Sequence, residues 1–418
     1  MKALWENYKS SIILLGSIII GGVIGGFMGE QATIFKPVGE LFLNLLFMTL
    51  VPLVFFSVAS AIANMGEMKR LGNILKSIII VFLVTAIVSG IITLVGVLIF
   101  NPTKGLNSQM FESLMQTAEV TTAEQVGVLQ QLVNTVTVPD FYDLLSKSNM
   151  LQLILFSIVF GIATAMVGEK GKIIASFLQA GSDVMMKIID LVMKVAPLGL
   201  GCYFASIVGE LGPQIISGYA RSFVLYLVLT VIFYFGLFSI YAFIAGGKDG
   251  VKIYWANIIP PTVTSLATCS SAASIPVNLD ASKKMNVPND IAETVIPLGA
   301  NIHKDGSVIG GVLKVTFLFG IFGYNMTSIS SIISIIVVAF LVGTVMGAIP
   351  GGGMIAEMLI ITIFGFSIEF LPIIAVITTI IDAPATVLNT TSNTACSMMV
   401  ARLVEGKDWI KNILKSEV

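Results

Sequence analysis

Long uninterrupted apolar segments are the feature that most limits what this chain can fold into. Only 11% of the 418 residues are charged, whereas soluble proteins average about 25%. A helix needs roughly 18 to 20 apolar residues to cross the hydrocarbon layer of a membrane. Four segments reach or exceed that length: 11–28, 41–63, 78–100 and 223–245. Charge this sparse cannot cover a water-soluble fold of this size, so we predict a multi-pass all-α membrane protein.

Charge and cysteine content exclude other classes. The formal net charge is −1 and no basic face is visible, so no nucleic-acid partner is expected. Cys202, Cys269 and Cys396 lie far apart in apolar segments. That distribution argues against a disulfide framework or a cysteine metal cluster, and we interpret the three as small core residues. Neither a cofactor nor a defined metal site is predicted.

The basic residues predict the orientation. Lys2 and Lys9 precede the first apolar segment, which is too long for a signal peptide and lacks a cleavage site, so a retained helix is expected. Three more basic residues at 69–76 follow the second span. Because Lys and Arg concentrate on the cytoplasmic side, the N-terminus is predicted to be cytoplasmic and the acidic segment 101–147 to lie outside. The short loops favour the plasma membrane of a prokaryote.

The first half of the chain is predicted to form continuous transmembrane helices. They are predicted at 11–29, 38–63, 75–100, 149–167, 180–208 and 219–246. The span 180–208 carries Lys187, Asp190 and Lys194 at helical spacing. Ion-paired packing or a partly wet face is the favoured interpretation of these three, with a transport role as the alternative.

Past residue 255 the apolar segments are broken by polar residues, Gly and Pro. The segment 258–284 contains serines and prolines, and 331–368 repeats the design with its own Gly/Pro run. Each is followed by a span with a polar interruption, 291–322 and then 370–403. Irregular backbone at membrane depth is tolerated only where it is buried or lines a cavity. Paired broken segments point to the binding site of a transporter, which we therefore expect in this half.

At this point the sequence resembles the dicarboxylate/amino acid:cation symporter family, which includes the glutamate and neutral amino acid transporters. The likeness covers nearly the whole chain. The motifs that carry it are Pro52-Leu53-Val54-Phe55-Phe56-Ser57, Phe100-Asn101-Pro102, Ser270-Ser271 with Pro276, Pro297-Leu298-Gly299-Ala300, Asp305-Gly306-Ser307, Pro350-Gly351-Gly352-Gly353, and Asp382 with Thr386 and Asn389.

The resemblance implies an architecture that composition alone does not show. It predicts eight transmembrane helices plus two re-entrant helical hairpins, an elevator-type fold with inverted repeats, and a homotrimer in the lipid bilayer. The expected scaffold comprises 1–74 (helices 1 and 2) and 103–210 (outer loop, helices 4 and 5). The expected transport domain comprises 75–102 (helix 3) and 211–418 (helices 6, 7 and 8 with both hairpins).

Asp382 is the predicted anchor of the substrate. A carboxylate inside an apolar span costs about 2.5 to 3.5 kcal/mol or more, so it persists only with a partner. The resemblance implies that Asp382 takes the substrate ammonium group and that Asn389 contacts the substrate carboxylate. A structural lysine partner for Asp382, or a capping or packing role for Asn389, are the alternatives. The other predicted substrate-binding residues are Ser270, Ser271, Ser307, Pro350, Gly351, Ala385 and Thr386.

Ala385 predicts the class of substrate. Family members that carry acidic amino acids place an arginine here, three residues after the aspartate, to clamp the distal carboxylate. An acidic side chain would enter this pocket unpaired, at a high cost. A small neutral amino acid such as Ser, Thr or Ala is therefore predicted, with Thr386 available to bond a polar side chain. Larger apolar or sulfur-containing amino acids remain open.

The ion sites of the family are altered in this chain. The family motif Asn-Met-Asp-Gly-Thr, whose Asn and Asp bind sodium, reads His303, Lys304, Asp305, Gly306 and Ser307 here. The other sodium aspartate falls on Asn393, and of the third site only Thr85 is kept, with Phe82 and Ala86 beside it. A hard cation needs several oxygen ligands, so the sodium sites are predicted to be degraded.

Lys304 suggests what replaces the sodium. We expect its ammonium to act as a tethered internal cation that compensates Asp305, with Asp382 as a second candidate partner, and transport to be sodium-independent or proton-coupled through Lys304 or His303. The alternative is a fixed structural ion pair with His303 bonded to backbone. Lys314 is either a second such cation or a group in a wet crevice.

Other function classes fit less well. A sodium-coupled symporter of neutral or sulfur-containing amino acids and a membrane amino acid sensor that does not transport remain as alternatives. A channel lacks a ring of charges, and no metalloprotease can be built around one histidine. Ser270 or Ser271 with Lys304 could imitate a Ser–Lys dyad, but the tandem broken segments favour a cavity, so no enzyme is predicted.

Overall fold

The computed structural model describes residues 2–63, 69–105, 137–146, 149–211, 214–347, 352–407 and 409–410, and within these ranges every regular element is helical. The all-α prediction is thereby confirmed. The α-helices are α1 (Lys2–Met28), α2 (Lys36–Ala63), α3 (Lys69–Phe100), α4 (Phe141–Leu144), α5 (Met150–Met166), α6 (Gly171–Met193), α7 (Ala196–Leu211), α8 (Gln214–Val231), α9 (Phe238–Asn257), α10 (Ile259–Thr268), α11 (Ser271–Lys284), α12 (Asn289–Ile302), α13 (Asp305–Ile321), α14 (Ile329–Val345), α15 (Gly352–Phe364) and α16 (Leu371–Glu405).

Several helices have the length and apolar character that a membrane span requires. Four stretches of the described residues meet both criteria: Gly16–Phe42, Asn73–Phe100, Ile215–Asn257 and Ile368–Glu405. The third stretch joins α8 to α9 through a π-helical turn at Ile232–Leu237. Shorter apolar helices, among them Ile329–Val345 and Gly352–Phe364, pack between the longer ones.

Most helix–helix packing falls within two groups of helices, which meet at a few contacts, among them α5 against α15. In the first group α1 packs on α7, and α2 packs on α5, α6 and α7. Small residues allow these backbones to approach closely: a Cβ atom added to Gly161 of α5 would lie 2.7 Å from the Cβ atom of Ile62 in α2. In the second group α3, α8 to α13 and α15 pack on α16, whose middle is almost entirely buried, and α14 packs on α3, α12, α13 and α15.

The prediction of a single span at 180–208 is wrong. The structure has two helices here, α6 and α7, separated at Lys194 and Val195. Pro197 lies in the first turn of α7, where the missing amide hydrogen costs nothing, but the same ring cannot continue a preceding helix. Lys187 and Lys194 are exposed, as the wet-face interpretation expected, while the side chain of Asp190 lies outside the described part.

The predicted hairpins appear as helix pairs. α10 and α11 meet at Cys269, which adopts a left-handed conformation with φ +48°, and at Ser270, whose side chain accepts the amide hydrogen of Ala273 at 3.2 Å. α14 and α15 are joined through residues 346–351. Pro350 and Gly351, two predicted site residues, lie outside the described residues.

Of the two predicted polar interruptions, only the first breaks a helix. His303 and Lys304 are extended, with φ −131° and −141°, and they separate α12 from α13. The polar run 389–394 instead lies within the continuous helix α16. Its side chains bond back to carbonyls of the same helix, as in Thr391 to Val387 O at 2.7 Å. This local pairing lets a polar sequence stay helical.

Candidate functional site

The break between α12 and α13 brings ionisable residues into the protein interior. His303, Lys304 and Asp305 are 2%, 6% and 0% exposed. Buried polar groups need partners, because an unpaired one costs about 1–3 kcal/mol and a charged one more. The partners of these three side chains therefore define the site.

The imidazole of His303 lies between α16 and α3. Its Nδ1 is 2.8 Å from Asn393 Oδ1. The amide nitrogen of Asn393 donates to Asn389 O at 2.8 Å, so the oxygen faces the ring and Nδ1 must donate to it. The ring of Phe82 stacks on the imidazole with centroids 4.1 Å apart.

The second ring nitrogen can take either role. Nε2 lies 2.7 Å from the hydroxyl of Thr85. That hydroxyl can donate to the ring, or it can donate to Val81 O at 3.0 Å and accept from the ring instead. The hydroxyl has one hydrogen, so donating to Nε2 gives up its bond to Val81 O, but the hydrogen bond between Thr85 and His303 forms in either arrangement.

Asp305 pairs with His303 rather than with Lys304. Its Oδ1 accepts from the hydroxyl of Ser89 at 3.1 Å and lies 3.5 Å from His303 Nε2. Its Oδ2 is buried without a partner among the described residues. The ring of His303 also bonds to side chains, which differs from the backbone bonding that the structural alternative expected.

Lys304 reaches away from Asp305 to the second helix pair. Its ammonium donates to Gly347 O, just beyond the C-terminus of α14. The C-terminus of a helix carries partial negative charge and favours a cation. Asp382 is the carboxylate that acts on Lys304 electrostatically, without a direct ion-pair contact among the described residues. Lys304 is thus bound to a residue just beyond α14.

The beginning of α13 is fixed to α16 by hydrogen bonds and by close backbone packing. The amide group of Asn389 accepts from Ser307 N at 3.0 Å and donates to Ser307 Oγ at 3.1 Å. Tyr226 donates to Gly306 O at 2.8 Å. A Cβ atom on Gly306 would lie 3.0 Å from the Cα atom of Ala385, so only glycine fits this contact.

Asp382 differs from the other acids of this region. Its side chain is exposed, and no hydrogen bond or ion pair to it is found among the described residues. Pro384, two residues on, lies inside α16 and cannot donate to the carbonyl of Ile380, which is left without its helical donor. The carboxylate of Asp382 and the freed carbonyl of Ile380, two residues apart in α16, can each accept a hydrogen bond.

The helix α11 places the serines of the first pair near the same level of α16. Asn278 bonds to Thr390 O and to the hydroxyl of Thr394 at 3.3 and 3.1 Å, and Ser282 lies 3.3 Å from Ser397. The two helices therefore run in parallel at a fixed offset. Both helices rise equally per residue. Following them back towards their N-termini from these contacts therefore places the buried Ser271 of α11 at the same level as Ala385 and Thr386 of α16. Ser270 itself is used as the cap of α11.

Sequence reasoning missed several polar residues that the fold brings near the site. They are Ser89, Tyr226, Glu357 and Thr378. Glu357 had a visible signal, because it is the only charged residue in the apolar segment 352–364. The hydroxyl groups gave none, since serine, threonine and tyrosine are common in apolar helices.

Comparison with known proteins places the chain in a family. A family model described as the sodium:dicarboxylate symporter family matches residues 11–403. The chain belongs to the sodium:dicarboxylate symporter family. This is a family of transporters rather than of enzymes, so together with its apolar helices the chain is a multi-pass membrane transporter.

Bacterial symporters of this family are similar over most of their length. The proton/sodium-glutamate symport protein of Bacillus caldotenax is 27% identical over 409 residues, covering 96% of this chain and 95% of the relative. The C4-dicarboxylate transport protein of Rhizobium leguminosarum bv. trifolii is 30% identical over 358 residues, covering 82% of this chain and 77% of the relative. The C4-dicarboxylate transport protein of Bacillus subtilis is 28% identical over 352 residues, covering 84% of this chain and 82% of the relative.

Proposed function

We propose that this symporter-family member carries a small neutral amino acid across the cell membrane. The observation that carries the proposal is Asp382, an exposed carboxylate without a hydrogen-bond partner among the described residues, three residues before Ala385 on one face of α16. The substrate ammonium pairs with Asp382, while its carboxylate takes the remaining amide hydrogen of Asn389 and donors at Ser271. Thr386 and Ser307 complete the proposed pocket, and Pro350 and Gly351 are proposed as further substrate-binding residues.

The relatives are named for glutamate or C4-dicarboxylates, and Ala385 is the reason for proposing a different cargo here. A second carboxylate on the substrate needs a cation, and charge-assisted bidentate pairing is what an arginine supplies. The cation nearby, Lys304, already donates to Gly347 O. An acidic side chain beside Ala385 would therefore be buried without a partner, which is expensive.

The coupling proposed is independent of sodium. His303 and Lys304 put nitrogen donors where an ion site would need oxygen ligands, and the ring of His303 already bonds to Asn393 and Thr85. We propose Lys304 as a tethered cation for Asp382 and His303 as the cation for Asp305. Proton coupling through either group is compatible with this arrangement.

The resemblance to the symporter family also supports a proposal for the wider architecture. We propose eight transmembrane helices with two re-entrant hairpins, α10–α11 and α14–α15, in a homotrimer with cytoplasmic N-termini. The first packing group of helices would be the static scaffold (1–74, 103–210) and the second the moving transport domain (75–102, 211–418) of an elevator. Most of the helix packing falls within one group or the other, which supports this division.

One observation favours a second candidate function. Asp305 Oδ2 is buried without a partner among the described residues, and a sodium ion could provide one. A sodium-coupled symporter of neutral or sulfur-containing amino acids is therefore the alternative, followed by a sensor that binds the same ligand without transport.

Uptake by purified protein in proteoliposomes tests the proposal. Labelled serine, alanine, threonine, cystine and glutamate are compared, each with sodium and with sodium replaced by choline. We expect uptake of a small neutral amino acid in both salts, loss of uptake in Asp382→Asn, and normal uptake in the control Asp280→Asn, an acid 61% exposed. Preference for glutamate would refute the cargo. Collapse of uptake in choline would refute the coupling, and binding without uptake would indicate a sensor.

A further inference from the structure

A second set of ionisable side chains is buried outside the candidate site. Lys314 of α13 and Glu357 of α15 are 2% and 1% exposed, with Nζ and Oε1 3.7 Å apart. Thr378 of α16 lies between them: it accepts from Lys314 Nζ at 2.9 Å and donates to Glu357 Oε1. Three helices therefore meet at these three residues, which we name the Glu357 cluster.

The Glu357 cluster is not fully satisfied. Glu357 Oε2 is buried and has no hydrogen-bond partner among the described residues, and the separation of 3.7 Å between Nζ and Oε1 is too long for a hydrogen bond. A buried carboxylate with one oxygen unpaired is expensive as an anion. A proton bound at Oε2 removes that charge and leaves the bond from Thr378 to Oε1 in place.

Among the charged groups on the helices packed against α15, Lys314 is the one that faces Glu357. α14 and α5 pack on α15 and carry no titratable side chain within the described residues. The other elements packed against α15 carry further titratable groups. Asp305 lies at the start of α13, and Glu369 lies in the short helix Ile368–Phe370. α16 carries Asp382, one turn after Thr378, and towards its end Cys396, Arg402 and Glu405. Of all these, only Lys314 is within ion-pair distance of Glu357 in the described structure.

The charges around the site balance only when one proton is bound. Asp305, Asp382 and Glu357 are three anions, whereas Lys304 and Lys314 are two cations, with His303 able to hold its proton or not. A zwitterionic amino acid adds no net charge. Net charge within a membrane is costly, and one proton, held on His303 or on Glu357, makes the set neutral.

The position of the Glu357 cluster links it to the substrate site. α13 carries Asp305 and Ser307 at its start and Lys314 further along, while α16 carries Thr378 one turn before Asp382. α15 follows directly after the hairpin turn that Lys304 contacts through Gly347 O. Removing the charge of Glu357 weakens its attraction to Lys314 and so alters how α15 is held against both helices.

We propose that the Glu357 cluster is a proton-binding site that couples proton movement to transport. A proton from water on one side forms an O–H bond at Glu357 Oε2, crosses with the bound amino acid, and is released to water on the other side. One positive charge moves with each zwitterionic substrate. The coupling rests on the proposed function, whereas proton binding by Glu357 does not depend on any substrate.

Infrared difference spectroscopy of the full-length protein in liposomes tests proton binding directly. Lowering the pH should produce the C=O stretching band of a neutral buried carboxyl group, and this band should be lost in Glu357→Gln. The double variant Glu357→Gln with Lys314→Met keeps the charges balanced and should lack the band as well, which covers failure of the single variant to fold. The control Glu293→Gln, an acid 57% exposed, should keep it. A band that persists in both Glu357 variants, or that is lost in Asp305→Asn instead, would overturn the proposal.

Substrate binding at different pH values tests the coupling. If one proton is linked to binding, the affinity for the amino acid changes by up to about tenfold per pH unit, and the dependence should be lost in the double variant. Wild-type affinity that does not vary with pH would overturn the coupling. If the infrared band behaves as expected but no amino acid binds, the proposed function fails while Glu357 remains a proton site.

Discussion

Replacing Asp382 by asparagine isolates the charge that the substrate ammonium is proposed to meet. The substitution keeps the size of the side chain. Asp382 is exposed and makes no hydrogen bond to the described residues, so little of the free energy of unfolding depends on it. The substitution therefore acts on binding rather than on folding, which makes the expected loss interpretable.

The magnitude follows from the single interaction that is removed. A hydrogen bond to a charged group contributes about 1.5–3 kcal/mol, and each 1.4 kcal/mol corresponds to about a factor of ten in Kd. We therefore expect the Kd for a small neutral amino acid to rise by about 10- to 150-fold. Lys304 adds to the loss, because its ammonium then meets the substrate cation without a carboxylate to offset it.

Isothermal titration calorimetry of the purified protein measures this change, with the melting temperature recorded alongside. The exposed variant Asp280→Asn, which breaks an ion pair with Lys284 at 2.7 Å, controls for the loss of an acid elsewhere. An affinity that stays within about twofold of wild type would refute Asp382 as the anchor. A lowered melting temperature without ligand would refute the reasoning that its role is in binding alone.

Three further predictions follow from the geometry of the site. Ala385→Arg should improve the affinity for glutamate or aspartate relative to alanine by about 10- to 150-fold, since a guanidinium adds a charge-assisted bond of about 1.5–3 kcal/mol. Competition between these amino acids in the uptake assay measures the preference, and a preference equal to that of the wild type would contradict the prediction. His303→Asn restores the amide of the family motif, so uptake should become stimulated by sodium over choline, whereas equal uptake in both salts would argue against His303 as the replacement cation. Gly306→Ala places a Cβ atom 3.0 Å from the Cα atom of Ala385 and should cost about 1–3 kcal/mol of unfolding free energy. Thermal unfolding would show it, with Gly236→Ala, where the added atom meets nothing within 4 Å, unchanged.

Two sets of contacts now describe the site and its surroundings. Lys304 donates to Gly347 O, whereas His303 lies between Asn393 and Asp305. Both depend on the extended backbone at residues 303 and 304, which turns two successive side chains in different directions. The break between α12 and α13 is therefore what gives these neighbouring residues different partners.

Local properties of the sequence determined the class of the protein. The length of the apolar runs specified membrane helices, because backbone groups in lipid must be paired within the helix. Gly, Pro and polar residues specified where the backbone is interrupted, and the isolated carboxylate of Asp382 stood out in its apolar span. The same motifs were enough to indicate the family, which the comparison confirmed.

The tertiary structure decided which groups meet, and the sequence could not. Asp305 pairs with His303 instead of the adjacent Lys304, the predicted span 180–208 is two helices, and the run 389–394 stays helical. Lys314 and Glu357 belong to different helices and come together through packing against α16. A helix or a break follows from neighbouring residues, whereas the partner of a buried charge depends on how distant helices pack, and that packing is set by the whole chain.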